Sequence, residues 1–111
     1  MKKFLVLYYS SVPATEQMKV PPEMAKAGME LWTSWAKKAG GAIVDLGMPL
    51  GNPVKVANGS SPSDSKIAGF SILQADSTKA VAALLKDHPH FKAPGAAIEV
   101  LEFLAMPGMP K

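Results

Sequence analysis

Two apolar runs, residues 3–9 and 67–75, constrain this chain more than any other feature. Each has the length of a strand, falls short of a buried helix, and is rich in Phe, Leu, Ile, Val or Tyr. Such near-continuous runs are typical of strands covered on both faces, where alternation with polar residues would show one wet face. A chain of 111 residues with 48% hydrophobic side chains closes one core and has no room for a second domain. Part of the cover these strands need must therefore come from outside the chain.

The segments between the runs are equally legible. Pro21-Pro22-Glu23 opens a helix, with proline in the first turn and an acid at the positive end of the dipole. Met24, Gly28, Leu31, Trp35 and Ala39 then recur at helical spacing, and Gly40-Gly41 stops the pattern. Residues 42–46 read as a second strand, and the Gly-, Pro-, Ser- and Asn-rich stretch 47–66 as a long mobile or functional loop. After the strand at 67–75, Asp76-Ser77 caps a second helix that buries Val81, Leu84 and Leu85 and ends near Lys86. Residues 96–104 form the fourth strand, and the tail Met106-Pro107-Gly108-Met109-Pro110 is not regular.

The order βαββαβ predicts an α+β fold of ferredoxin-like type, an antiparallel four-stranded sheet with both helices on one face. The other face would be covered by a second copy, giving a homodimer through the sheet, with the Met-rich tail laid across the partner. All of the net charge of +3 comes from scattered lysines, and the chain has no arginine. It therefore lacks the guanidinium fork on which phosphate and base readers depend, so no nucleic-acid partner is expected. No stretch is long enough to span a bilayer, so no membrane partner is expected either. The basic start and apolar run could pass for a signal peptide, but the run is short and lacks a small-residue cleavage site, which favours a first strand. With no cysteine in the chain, disulfides and thiolate chemistry are excluded, and a cytoplasmic location fits.

The chain's only histidines flank a proline in Asp87-His88-Pro89-His90-Phe91. If proline holds the segment extended, both imidazoles point the same way. No other side chain ordinarily titrates near neutrality, so proton transfer would pass through this segment. His88 or His90 is then a general base; alternatively the histidines cap the preceding helix and pack against Phe91. Asp45, ending an apolar strand, is the candidate carboxylate to orient an imidazole, while the plainer reading has it facing solvent or capping the Gly47 turn. Trp35 belongs to the core stripe, and Trp32, off that stripe, is a pocket candidate. Tyr8 and Tyr9 point to opposite faces of the first strand, placing one hydroxyl in the cleft. A metal would need a third ligand that only Asp87, Asp45 or remote glutamates could supply, so neither metal nor cofactor is expected.

Several segments in order resemble one family. Lys3-Phe4-Leu5-Val6-Leu7-Tyr8, Pro22-Glu23-Met24, Val44-Asp45-Leu46-Gly47-Met48-Pro49-Leu50, Gly69-Phe70-Ser71-Ile72-Leu73-Gln74-Ala75-Asp76 and Ile98-Glu99-Val100 look like the YCII-related proteins of the dimeric α+β barrel superfamily. The resemblance covers nearly the whole chain and implies a single domain over 1–111, dimerising through its sheet, with a cleft between sheet and helices. It also implies a histidine and an aspartate in that cleft. Many members carry the histidine on or before the first helix, whereas residues 10–40 here contain none, so that position does not transfer. Asp45 and the proline-containing turn at His88-Pro89-His90 do correspond.

Two functions follow as expectations. One is a cofactor-independent enzyme abstracting a proton from a small apolar or aromatic molecule, with His88 or His90 as base, Asp45 orienting it, and Trp32, Tyr8, Tyr9 and Phe91 binding the ligand. The other is a dimeric ligand-binding or scaffold domain without chemistry. A histidine–carboxylate contact in a closed cavity would favour the first, and a filled cleft the second.

Overall fold

Strand β1 (Lys2–Tyr9) sits inside a four-stranded antiparallel sheet, between β5 (Ile67–Ala75) and β6 (Ala97–Glu102), and β2 (Ile43–Asp45) extends the far side of β5. The order across the sheet is β2-β5-β1-β6. A computed structural model describes residues 1–108 of the chain, so the expectation for Met109 and Pro110 lies outside the described residues. The remaining elements are α1 (Ala14–Gln17), α2 (Pro22–Ala39), the hairpin β3 (Val54–Val56) and β4 (Ser60–Pro62), and α3 (Thr78–Leu85), with 3-10 turns at Gly40–Ala42 and Pro89–Lys92. The molecule is an α+β fold.

Register fixes which side chains share a face. Phe4, Val6 and Tyr8 stand opposite Leu73, Ser71 and Gly69, and Val6 and Tyr8 also face Val100 and Ile98. This face meets the helices: Phe4, Val6, Tyr8, Leu73 and Ala75 pack with Trp35 and Ala39 of α2 and Val81 and Leu85 of α3. Each large apolar side chain buried here contributes about 1.5–3 kcal/mol. The opposite face carries Leu5, Leu7, Phe70, Ile72 and Leu101, and among the described residues no helix packs against it. The molecule is correspondingly thin, with extents of 48 × 44 × 20 Å. Its radius of gyration of 15.5 Å exceeds the value of about 13 Å usual for a closed chain of this length.

Helix α2 begins at Pro22 with Glu23 in its first turn, and α3 begins behind Ser77, whose hydroxyl oxygen accepts the Ala80 N–H. The expected α2 stripe is displaced. Only its last two turns reach the core, so Trp32, Trp35, Ala36 and Ala39 pack inward while Met24 and Leu31 are exposed. Residues 47–66 are not a plain loop, because β3 and β4 pair within them around Asn58 and Gly59, both at positive φ. A short helix, α1, also occupies part of the polar stretch after β1.

Candidate functional site

The C-terminus of α3 positions both histidines. The His88 N–H donates to Leu85 O at 3.1 Å, closing the helix, and the following proline holds His88 extended at φ −63°, ψ 138°. Pro89 then starts a 3-10 turn, so the segment is not extended throughout. His88 caps this turn: its Nδ1 accepts the His90 N–H at 2.9 Å. The turn still brings both imidazoles to the buried side of the segment, their ring centroids 4.9 Å and 5.2 Å from that of Tyr8.

His88 lies in an aromatic cage. Trp32 and Trp35 each have ring centroids 4.4 Å from the imidazole, Trp32 edge to face, and only 2% of His88 is exposed. Trp32, off the expected stripe, thus meets Tyr8 and His88, while Trp35 donates its indole N–H to Leu84 O at 3.0 Å. Tyr8 closes the floor of the site. Ser71 donates its only hydroxyl proton to Leu46 O at 2.6 Å, so the 2.8 Å contact between Tyr8 and Ser71 has Tyr8 as donor. Burial pushes the Tyr8 phenol up to about 12.

Hydrogen bonds fix the tautomers. His90 Nε2 lies 2.7 Å from Tyr9 O, and a carbonyl only accepts, so Nε2 carries the proton. His88 uses its Nδ1 lone pair on the His90 N–H, which puts the His88 proton on Nε2, a buried atom with no hydrogen-bond partner among the described residues. Burial, followed by the neighbouring charge of His90, lowers the His88 pKa from 6.5 to about 4. With its lone pair engaged and its charged form disfavoured, His88 is a poor base. The unused imidazole lone pair is Nδ1 of His90, oriented by a backbone carbonyl through Nε2.

The remaining expected site residues lie elsewhere. Asp45 is exposed, and its Oδ1 accepts the Gly47 N–H at 2.8 Å. A register shift between Ile43 and Asp45 sets Asp45 opposite Ile72, on the face away from the helices, so the expected histidine–aspartate pair does not form. Tyr9 also faces away, donating to Glu99 at 2.7 Å, a bond that raises its pKa; burial and the Glu99 charge add to the shift. Phe91 is half exposed on the 3-10 turn and lines no cleft with the histidines. Sequence reasoning missed Ser71 and the Leu46 carbonyl, and only the pairing of Val6 with Ser71 and Tyr8 with Gly69 reveals them. Among the described residues no three His, Asp or Glu side chains converge on one point. The space between the sheet and α2 is filled by Tyr8, Trp32, Trp35 and His88.

This burial has a pH signature. Between pH 6.5 and 4 the unfolded chain takes up a proton at His88 that the folded chain refuses, so stability falls as pH drops through that window and is unaffected by this group above it. The expected loss by pH 4 is about 3 kcal/mol. Urea melts from pH 4 to 7.5 on wild type and His88→Asn check it, since the Asn Oδ1 can replace Nδ1 as acceptor without titrating. Equal slopes in the two proteins would assign the pH dependence to other groups.

No protein-family model matches the chain. No curated protein matches its sequence either.

Proposed function

We propose that the chain is a ferredoxin-like subunit related to the YCII proteins, acting as a cytoplasmic homodimer that binds a small apolar or aromatic ligand or serves as a scaffold, without histidine–aspartate catalysis. The bare apolar sheet face carries this reading. Leu5, Leu7, Phe70, Ile72 and Leu101 form one continuous patch on it, and Leu101 and Phe103 are 43% and 51% exposed. Patches of this kind on small proteins are usually contact surfaces. A second copy offers an identical face, and two such sheets in contact would supply the cover that the apolar runs of β1 and β5 require.

The order β2-β5-β1-β6, antiparallel throughout, supports the ferredoxin-like assignment. Against catalysis stand the filled space around His88 and the placement of Asp45 opposite Ile72, on the sheet face away from the imidazoles, where it caps the Gly47 turn. Half-buried Trp32, at the margin of the cluster, offers the aromatic surface on which a flat ligand would stack. The absence of cysteine suits a reducing cytoplasm, and no helix among the described residues is long and apolar enough to cross a membrane.

Sedimentation equilibrium tests the dimer. Wild type is expected at twice the mass of one chain, and Ile72→Lys, which places a charge in the centre of the patch, at the mass of one chain with its circular dichroism retained. A wild-type monomer at high concentration, or a dimer indifferent to Ile72→Lys, would refute it.

A further inference from the structure

We infer that the cleft between the end of β1 and the base of the β3–β4 hairpin binds a small zwitterion of the amino-acid type. This site is separate from the aromatic–histidine cluster and does not depend on the dimer. The cavity has a volume of about 180 Å³. At about 30 Å³ per water it holds roughly six waters, the space of a molecule of about six to nine heavy atoms.

Its walls are tied in place by the backbone. Ser10 N–H donates to Lys66 O at 2.9 Å, Leu50 N–H to Ala68 O at 3.0 Å, and Ser63 N–H to Pro53 O at 3.0 Å. Binding therefore requires little ordering of the chain, which favours affinity for a small molecule.

Ser10 and Ser11, on one wall of this cavity, spend their hydroxyl protons on Pro94 O, whereas the side chains of the opposite wall keep unspent groups. Ser63 Oγ accepts the Ser65 N–H at 3.1 Å, and Ser65 Oγ accepts the Ile67 N–H at 3.3 Å. Among the described residues neither hydroxyl proton is donated, so both are free for a ligand oxygen. Asp64 and Lys66 also line the cavity, and neither takes part in an ion pair there, the pairs being Lys2–Glu102 and Lys19–Glu16.

One cation and one anion facing the same small space select by charge. A simple anion gains Lys66 but meets Asp64, and a simple cation has the reverse problem. A molecule carrying both an ammonium and a carboxylate satisfies the two together. The two serine hydroxyls then add donors to the carboxylate, and Leu50 and Pro53 give apolar wall for a short side chain.

Saturation-transfer NMR and calorimetry on the full chain test this with glycine, L-serine, L-proline, β-alanine and 4-aminobutyrate, against acetate and methylammonium. Saturable binding of at least one zwitterion is expected, at least tenfold tighter than either single-charge probe. Asp64→Asn and Lys66→Met should each weaken it at least tenfold. Both residues are exposed, so unchanged thermal melts will show that the fold is intact. Lys2→Met, which removes a charge paired with Glu102 at the opposite end of β1 from the cleft, should leave binding unaltered. The inference is overturned if no zwitterion saturates, if acetate binds as well as the zwitterions, or if the Asp64 and Lys66 variants bind like wild type.

Discussion

Replacing Trp35 by alanine is expected to cost about 4 kcal/mol, a large share of the 5–15 kcal/mol typical of a small domain. Trp35 is 6% exposed, packs in the core with Phe4, Leu73 and Leu85, and stands 4.4 Å from the His88 ring. Two losses combine in the alanine variant. The indole volume becomes a cavity that the short α3 and the sheet can close only in part, and the Leu84 carbonyl near the end of α3 loses the donor that satisfies it. Trp35→Phe keeps most of the volume and loses the bond, so it should cost about half as much. Urea melts give both numbers. The site makes a second readout available: water entering the cavity would solvate the His88 charge, so the pKa of His88, lowered to about 4 in wild type, should climb back toward 6.5 in the alanine variant. A loss below about 1 kcal/mol, with an unmoved His88 titration, would mean that the cage is not part of the core.

The strands and helices were legible because their residues obey local rules. The apolar run of β1, the Pro22-Glu23 entry of α2 and the Ser77 cap of α3 each act through neighbours a few positions away. The Asn58-Gly59 hairpin is equally local, with Val54 and Val56 alternating before it, but the surrounding Ser, Pro and Gly carry the composition of a loop and mask that signal. The α2 stripe was misplaced for a different reason. Periodicity shows that a helix has an apolar side but not how much of its length meets the sheet, and here Met24 and Leu31 lie beyond the contact.

The candidate site divides in the same way. That His88 and His90 turn inward together follows from Pro89, a local cause, whereas the fate of Asp45 is decided by a register shift against β5. Alternation from Ile43 would have put Asp45 on the helix side. One irregular step sets it opposite Ile72, and the expected catalytic pair is lost. The partners of Tyr8 likewise come from strand pairing, which no spacing within one segment encodes.

That same irregular corner makes Gly47 the most sensitive glycine in the chain, and Gly47→Ala is expected to cost about 3 kcal/mol or more. Gly47 adopts φ +80°, a left-handed geometry that costs an L-residue about 1 kcal/mol. The larger part comes from position: a Cβ on Gly47 would fall inside the Phe70 carbonyl group and against Ser71 Cα, backbone atoms of β5 that cannot swing aside as a side chain could. Relief would require the 45–47 turn to retreat from β5. That retreat withdraws Leu46 O from Ser71, leaving a fully buried hydroxyl without its acceptor and loosening the chain that fixes Tyr8 beside His88. Gly59→Ala is the control, since Gly59 also has positive φ, at +117°, but nothing lies within 4 Å of its Cβ position. Thermal and urea melts should therefore separate the two variants widely, with Gly59→Ala losing only the conformational part. If they melt together, the close approach of the Gly47 turn to β5 is not what holds β2 and the Tyr8 chain in place.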